Sequence, residues 1–448
     1  MKIPPLIWAC AALCLGAGEA CRAADDLTGV ADQLQRLRQQ NEQLQQQLRQ
    51  QQDLIEQLNQ KLARVEAAQQ GSSNQLDALK ASLAPAPSAS GAALGSPLKF
   101  GAVTLSGEAG VAIFHQASEG EFNHADLRVD EAKLFVDANV WQDVYFYSEI
   151  NLITREASDE NLHLGELYVD FENVSALWHE ERLLNIRAGR MYIPFGEEYQ
   201  TRYAIDNPLI THSVSDIWGV DEGVELYGSK GPFRYAVAVQ NGGHPLLRDY
   251  NSDKSVAGRL SYAPTAWLNL SASGMRTGDL SAANDKLSGV WFANGFFRPI
   301  GSSQVTTFHA DLAEADAQAH WRQTVLKAAG GYARYGDNDQ PASNSRNLYY
   351  YYAEAVQGLT DKIFGAARFS EVVAPQGYPL TGLGDYGEYF LDNSSMTKSL
   401  WRLSLGLSYR WSRDLIFKTE YSFENGRLMD GSKRDHENLL GAEVAVRF

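Results

Sequence analysis

Nine basic side chains fall on one parity of the alternating segments in this chain: Lys133, Arg187, Arg234, Arg259, Arg368, Arg402, Arg410, Lys418 and Arg447. Guanidinium and ammonium groups on a shared face give charge-assisted donors to oxyanions, and several weak sites in series permit release as well as capture. The same parity carries Glu131, Asp137, Glu149, Glu166, Asp170, Glu225, Glu420 and Glu443, so the competing reading is that the cations simply pair with acids. A long stretch from Tyr192 to Asp221, punctuated by Pro194, Gly196, Pro208 and Gly219, adds Glu197, Glu198, Asp206, Asp216 and Asp221 against Arg202. Its charge is acidic, which suits an anion trap poorly.

Other chemistry finds little to stand on. His212 and Ser213 are neighbours, but adjacency does not make a base and a nucleophile, and there is no Gly-x-Ser-x-Gly elbow. His309 and His320 flank the acidic stretch Asp311 to Asp316 without a metal-ligand spacing, and the pairs Gly242-Gly243 and Gly330-Gly331 lead into no phosphate-cradling loop. No enzyme, cofactor or metal is expected. A formal net charge of -16 argues against a nucleic-acid partner, while leaving the field inside a cavity open.

The elements that must position these residues are strands. Ala132, Leu134, Val136, Ala138 and Val140 alternate with Lys133, Phe135, Asp137 and Asn139, and a turn at Trp141 to Asp143 leads into Val144, Phe146, Ser148, Ile150 and Leu152. Trp401 to Tyr409, the turn Trp411 to Arg413 and Leu415 to Phe423 repeat the form, as do the segments around Phe233 to Val239 and Val256 to Tyr262. Period-two alternation sends one set to each face. The chain ends in the same way, with Leu440, Ala442, Val444 and Val446 interleaved with Gly441, Glu443, Ala445 and Arg447 before Phe448. An apolar face running to a terminal aromatic needs a cover, and lipid supplies one in an outer-membrane barrel, whose charges turn inward. Short turns alternate with long polar loops, the layout of such a barrel. About 16 antiparallel strands are expected over residues 99–448, with Arg298 to Gln323 the least readable. The partners expected are outer-membrane lipid and, through Phe448, the barrel-assembly machinery.

The N-terminal part differs. Lys2 followed by an apolar stretch from Ile3 to Gly18 and small residues at Ala20 and Ala23 reads as a signal peptide over 1–23. Cys10, Cys14 and Cys21 all lie in or beside it, so no disulfide framework is expected. No later stretch reaches the roughly 18 apolar residues of a membrane helix. From Leu27 to Leu83 apolar residues keep a seven-residue spacing, with Asn41 and Gln51 as polar seam positions, predicting an α-helical coiled coil over 24–83 in the periplasm. It would reach on the order of 85 Å at about 1.5 Å per residue. Such a stalk could clasp an oligomer or touch peptidoglycan as a tether. An Ala, Pro and Ser linker over 84–98 separates it from the barrel.

Three stretches carry a resemblance: Arg190-Met191-Tyr192-Ile193-Pro194-Phe195-Gly196-Glu197-Glu198, then Asn207-Pro208-Leu209-Ile210, then Trp218-Gly219-Val220-Asp221-Glu222-Gly223-Val224-Glu225-Leu226. They resemble the phosphate-selective porin O and P family, as does the series of coiled coil, linker and barrel. The resemblance implies a homotrimer of 16-stranded barrels in the outer membrane, each with its third outward loop folded into the lumen as a constriction. It further implies passive diffusion of small anionic solutes, phosphate among them, along a ladder formed by Lys133, Arg187, Arg234, Arg259, Arg368, Arg402, Arg410 and Lys418. A general or differently selective diffusion pore is the alternative, favoured by the acidic loop.

Overall fold

The computed structural model describes residues 98–448 apart from 118–123, 154–161, 216, 218, 243–251, 282–304, 340–343, 379 and 381–395. The expected signal peptide, coiled coil and all but the last residue of the linker lie outside the described residues.

Among the described residues, nineteen strand segments form one sheet, and three of them are only two or three residues long, leaving sixteen that build the wall. They are β1 (Val103–Gln116), β2 (Asp126–Trp141), β3 (Val144–Ile153), β4 (His163–Phe171), β5 (Asn185–Tyr192), β6 (Val220–Lys230), β7 (Phe233–Gln240) and β8 (Ser255–Thr265). The second half comprises β9 (Leu268–Arg276), β10 (Thr307–Trp321), β11 (Thr324–Asp337), β12 (Arg346–Gly358), β13 (Ile363–Tyr378), β14 (Thr397–Ser412), β15 (Leu415–Leu428) and β16 (Leu439–Arg447). Each pairs antiparallel with the next, and β16 returns to β1 from Leu439 opposite Gln116 to Arg447 opposite Glu108. Closure leaves no unpaired edge, the condition for strands to cross a hydrocarbon layer.

The faces are inverted relative to a water-soluble sheet. Val111, Ile113, Val237, Val239, Leu405, Leu407, Val444 and Val446 are exposed on the outside, whereas Glu108, Lys133, Glu149, Arg402, Lys418 and Glu443 are buried inside. Covering a large apolar side chain is worth about 1.5–3 kcal/mol, so an outer face of this composition favours lipid over water. Trp141, Trp267, Trp321 and Trp411 stand exposed beside short turns on one end, with Trp178 exposed on the longer connection between β4 and β5 at the same end, the placement of an interfacial aromatic girdle. At the seam, Phe448 exchanges backbone hydrogen bonds with Gly107 at 3.0 and 2.9 Å. The glycine is required there, because a Cβ on Gly107 would lie 2.7 Å from the Phe448 ring.

The interior is not uniformly polar. Toward the long-loop end, Met275, Phe308, Tyr335, Leu348, Val372 and Leu400 from β9 to β14 form one buried apolar cluster. The hard-to-read stretch up to Gln323 contains β10, whose larger apolar residues Phe308 and Leu312 face inward while Ala313 and Ala315 face out.

Candidate functional site

Residues 193–219, between β5 and β6, form the third long connection, and they fold into the barrel. Hydrophobic burial explains the direction. Ile193 and Phe195 join the apolar cluster of the wall, Ile210 packs with Phe114 and Leu439, and Ile205 packs with Ile416 and Ala445. A sharp bend at Gly196, with φ +79°, starts the descent.

Polar anchors then fix the loop around the lumen. The Gly196 carbonyl accepts from Arg259 at 2.6 Å and its N–H donates to Ser273 at 3.1 Å. Glu197 pairs with Lys327 on β11 at 2.9 Å and accepts from the Tyr352 hydroxyl on β12. Tyr203 donates to Glu149 on β3 at 2.9 Å, the Ala204 N–H to Glu108 on β1 at 3.2 Å, and Asp206 pairs with Arg447 on β16 at 2.7 Å. Farther on, Lys418 donates to the carbonyls of Ala204, Asn207 and Leu209, and Glu420 accepts the N–H groups of Ile210 and Thr211. Arg368 reaches the Thr211 carbonyl and Arg402 the His212 carbonyl, both at 2.8 Å.

The path crosses the lumen. Thr201 accepts from Lys327 on β11 at 3.3 Å, while Tyr203, two residues later, touches β3. These strands are eight apart in a ring of sixteen, hence on opposite walls. Two cavities flank the crossing. One of about 500 Å³ is lined by Tyr168, Arg187, Tyr199, Tyr227 and Arg234, and one of about 320 Å³ by Thr201, Asp206, His320, Lys327 and Arg410.

Inward parity places the expected cations inside, and most of them meet a carboxylate there. Lys133 pairs with Glu131 at 2.6 Å, Arg259 with Asp316 at 2.7 Å, Arg368 with Glu354 at 2.5 Å, Arg402 with Glu424 at 2.6 Å and Lys418 with Glu443 at 2.7 Å. All five are buried, four of them between wall and loop carbonyls. A bare cation there would cost several kcal/mol of desolvation, which carboxylates and carbonyls offset. Arg187, partly exposed, is shared between Asp170 at 3.0 Å and Glu225 at 3.3 Å. Arg234 is exposed and Arg410 half-buried, and among the described residues neither has an ion-pair partner.

The acidic loop residues are also largely spoken for. Burial pushes the Glu197 carboxyl up, but the Lys327 ammonium and the Tyr352 hydroxyl outweigh it, so its pKa lies below the ordinary value. Glu198 is buried and accepts from the Ser213 N–H at 2.9 Å and its hydroxyl at 2.5 Å. Asp221 is buried at the start of β6 and accepts the Gly242 N–H at 2.5 Å. Arg202 is buried, Asp206 is exposed, and Asp216 lies outside the described residues. His212 and Ser213 serve the loop's own fixation, through the His212 carbonyl and the Ser213 hydroxyl.

Sequence reasoning missed Lys327, Tyr203 and Tyr352, which complete the crossing, and Glu108, Asp316, Glu354 and Glu424, which complete the pairs. The signal was available for Glu354 and Tyr352, which share the inward parity of β12. Tyr203 gave none, since no periodicity governs a loop.

No family model and no curated relative matches the chain. Among solved structures, it is similar to OmpT, an outer membrane protein of Vibrio cholerae, at 11% identity over 79% of this chain and 99% of that one, with a TM-score of 0.51. A loop L8 deletion form of OmpT aligns at 10% identity over 77% and 99%, also at 0.51. The outer membrane channel DcaP of Acinetobacter baumannii aligns at 13% identity over 77% and 97%, again at 0.51. At these identities the likeness speaks for the fold alone: this chain is a closed, 16-stranded antiparallel barrel.

Proposed function

We propose that the chain is an outer-membrane porin passing small hydrophilic solutes by passive diffusion, without a cofactor. The observation that carries the reading is the loop anchored on opposite walls of a closed barrel, which narrows the lumen and leaves cavities beside the crossing. The apolar exterior, the tryptophans at the short turns and the description of the fold neighbour DcaP as an outer membrane channel support it. Pairing of the buried cations favours a general or differently selective pore over a phosphate-selective one, with Arg234 and Arg410 as the remaining candidates for an anion preference. A homotrimer, clasped or tethered to peptidoglycan by the N-terminal stalk, extends the same reading, as does assembly through Phe448. Solute-dependent swelling of liposomes holding the purified protein tests it. Uptake falling steeply with solute size is expected, and liposomes that swell no faster than protein-free ones would refute it.

A further inference from the structure

The larger cavity is a built compartment rather than a plain stretch of passage. At about 500 Å³ it lies within the range of small-molecule sites. One wall is aromatic: Tyr168 and Tyr227 flank the Arg187 guanidinium, with ring centroids 4.4 and 5.0 Å away. The loop supplies a further aromatic, Tyr199, whose centroid lies 6.1 Å from that of Tyr192. All four rings line the cavity.

Its lining carries charges of both signs. Arg187 is held by Asp170 and Glu225, and Arg259 by Asp316, while Glu166, Glu172, Arg182 and Arg234 also line the wall, Arg234 without an ion-pair partner among the described residues. Carboxylates offer only acceptors and guanidinium groups only donors. A free anion satisfies the donors and is repelled by the acceptors. A hydroxyl both donates and accepts, so a polyhydroxylated solute meets both kinds of group at once, and its C–H faces suit tyrosine rings.

Resting on the pore reading for its route of access, we propose that this compartment is a binding subsite for a neutral sugar of about disaccharide size, held between Tyr168, Tyr227 and Tyr199 and oriented by the Arg187 and Glu225 pair. Maltose is the probe. Calorimetric titration into the full-length protein, solubilised in a sugar-free detergent, reads the site whether or not current flows, and block of potassium chloride current in a planar bilayer reads it in the pore. Saturable binding and saturable block at the same concentration are expected. Tyr168→Ala and Tyr227→Ala should each raise that concentration about tenfold, equivalent to about 1.4 kcal/mol, whereas Tyr168→Phe keeps the ring and should stay within a few-fold of the parent. Heat-modifiable mobility checks that each variant is folded. Ion current with no maltose binding or block overturns the subsite and leaves the pore standing. Binding without ion current overturns the pore and leaves the subsite. Block by inorganic phosphate or benzoate in place of maltose shows an anion site instead, and overturns the proposal.

Discussion

Lys418 and Glu420 stand two residues apart on the inner face of β15 and grip one turn of loop with opposite charges. Lys418 donates to the carbonyls of Ala204 at 2.5 Å and Leu209 at 3.0 Å, and Glu420 accepts the N–H groups of Ile210 at 2.5 Å and Thr211 at 2.9 Å. Both side chains are buried. The strand therefore reads the polarity of the loop backbone, accepting where it offers N–H and donating where it offers C=O, so the loop has one register against the wall.

Removing either grip should free the loop before it unfolds the barrel, since the sixteen-strand ladder does not depend on it. Lys418→Met also leaves Glu443 without its 2.7 Å partner. Breaking a buried pair from one side costs roughly 3–5 kcal/mol. Single-channel recording of Lys418→Met and Glu420→Ala should show noisier open states and variable conductance, with the apparent unfolding temperature lowered. Quiet, wild-type openings in both would remove the latch from the account.

The crossing should limit conductance. Tyr203→Phe deletes the hydroxyl that meets Glu149, and Lys327→Gln deletes the cation shared by Glu197 and Thr201. The double variant is expected to conduct more than the parent and to admit larger uncharged polymers in polymer-exclusion measurements. An unchanged exclusion size would place the constriction elsewhere.

Exposed and buried cations should separate by phenotype. Arg234→Gln with Arg410→Gln removes two charges that have no ion-pair partner among the described residues, so the reversal potential in a salt gradient should shift toward cation preference with little loss of stability. Arg368→Gln and Arg402→Gln should do the converse, lowering stability because Glu354 and Glu424 lose their partners while shifting selectivity less. Equal shifts from both pairs would favour the ladder.

Acid should weaken the loop through Glu197. Its carboxyl is held below the ordinary value of 4.5, so its contribution is fully present above that pH and is lost as pH falls through the lower folded value. Thermal unfolding from pH 6 downward should show a stability decline below about pH 4.5 that is shallower in Glu197→Gln. Identical pH profiles would show that Glu197 does not contribute.

The barrel was legible in the sequence because its outer face is built from large apolar residues at strict alternate positions, as in Val444 and Val446 or Leu405 and Leu407. Legibility failed at β10 for a physical reason: Phe308 and Leu312 turn inward to a buried apolar cluster, and alanines take the outside, so the contrast between faces nearly vanishes. The third loop was found by its length and punctuation. What its charged neighbours do was not, because parity assigns Arg368 and Glu354 to the same face without stating that they lie 2.5 Å apart on adjacent strands. Lys327 went unselected, although its ammonium is what brings the loop to the far wall.

Single-channel recording of the purified full-length protein in a planar bilayer tests the central claim most directly. A closed barrel narrowed by one fixed loop predicts discrete, long-lived conductance steps that scale with salt concentration and rise when the Tyr203 and Lys327 contacts are cut. Folded, heat-modifiable protein that inserts and yet gives no steps would contradict it.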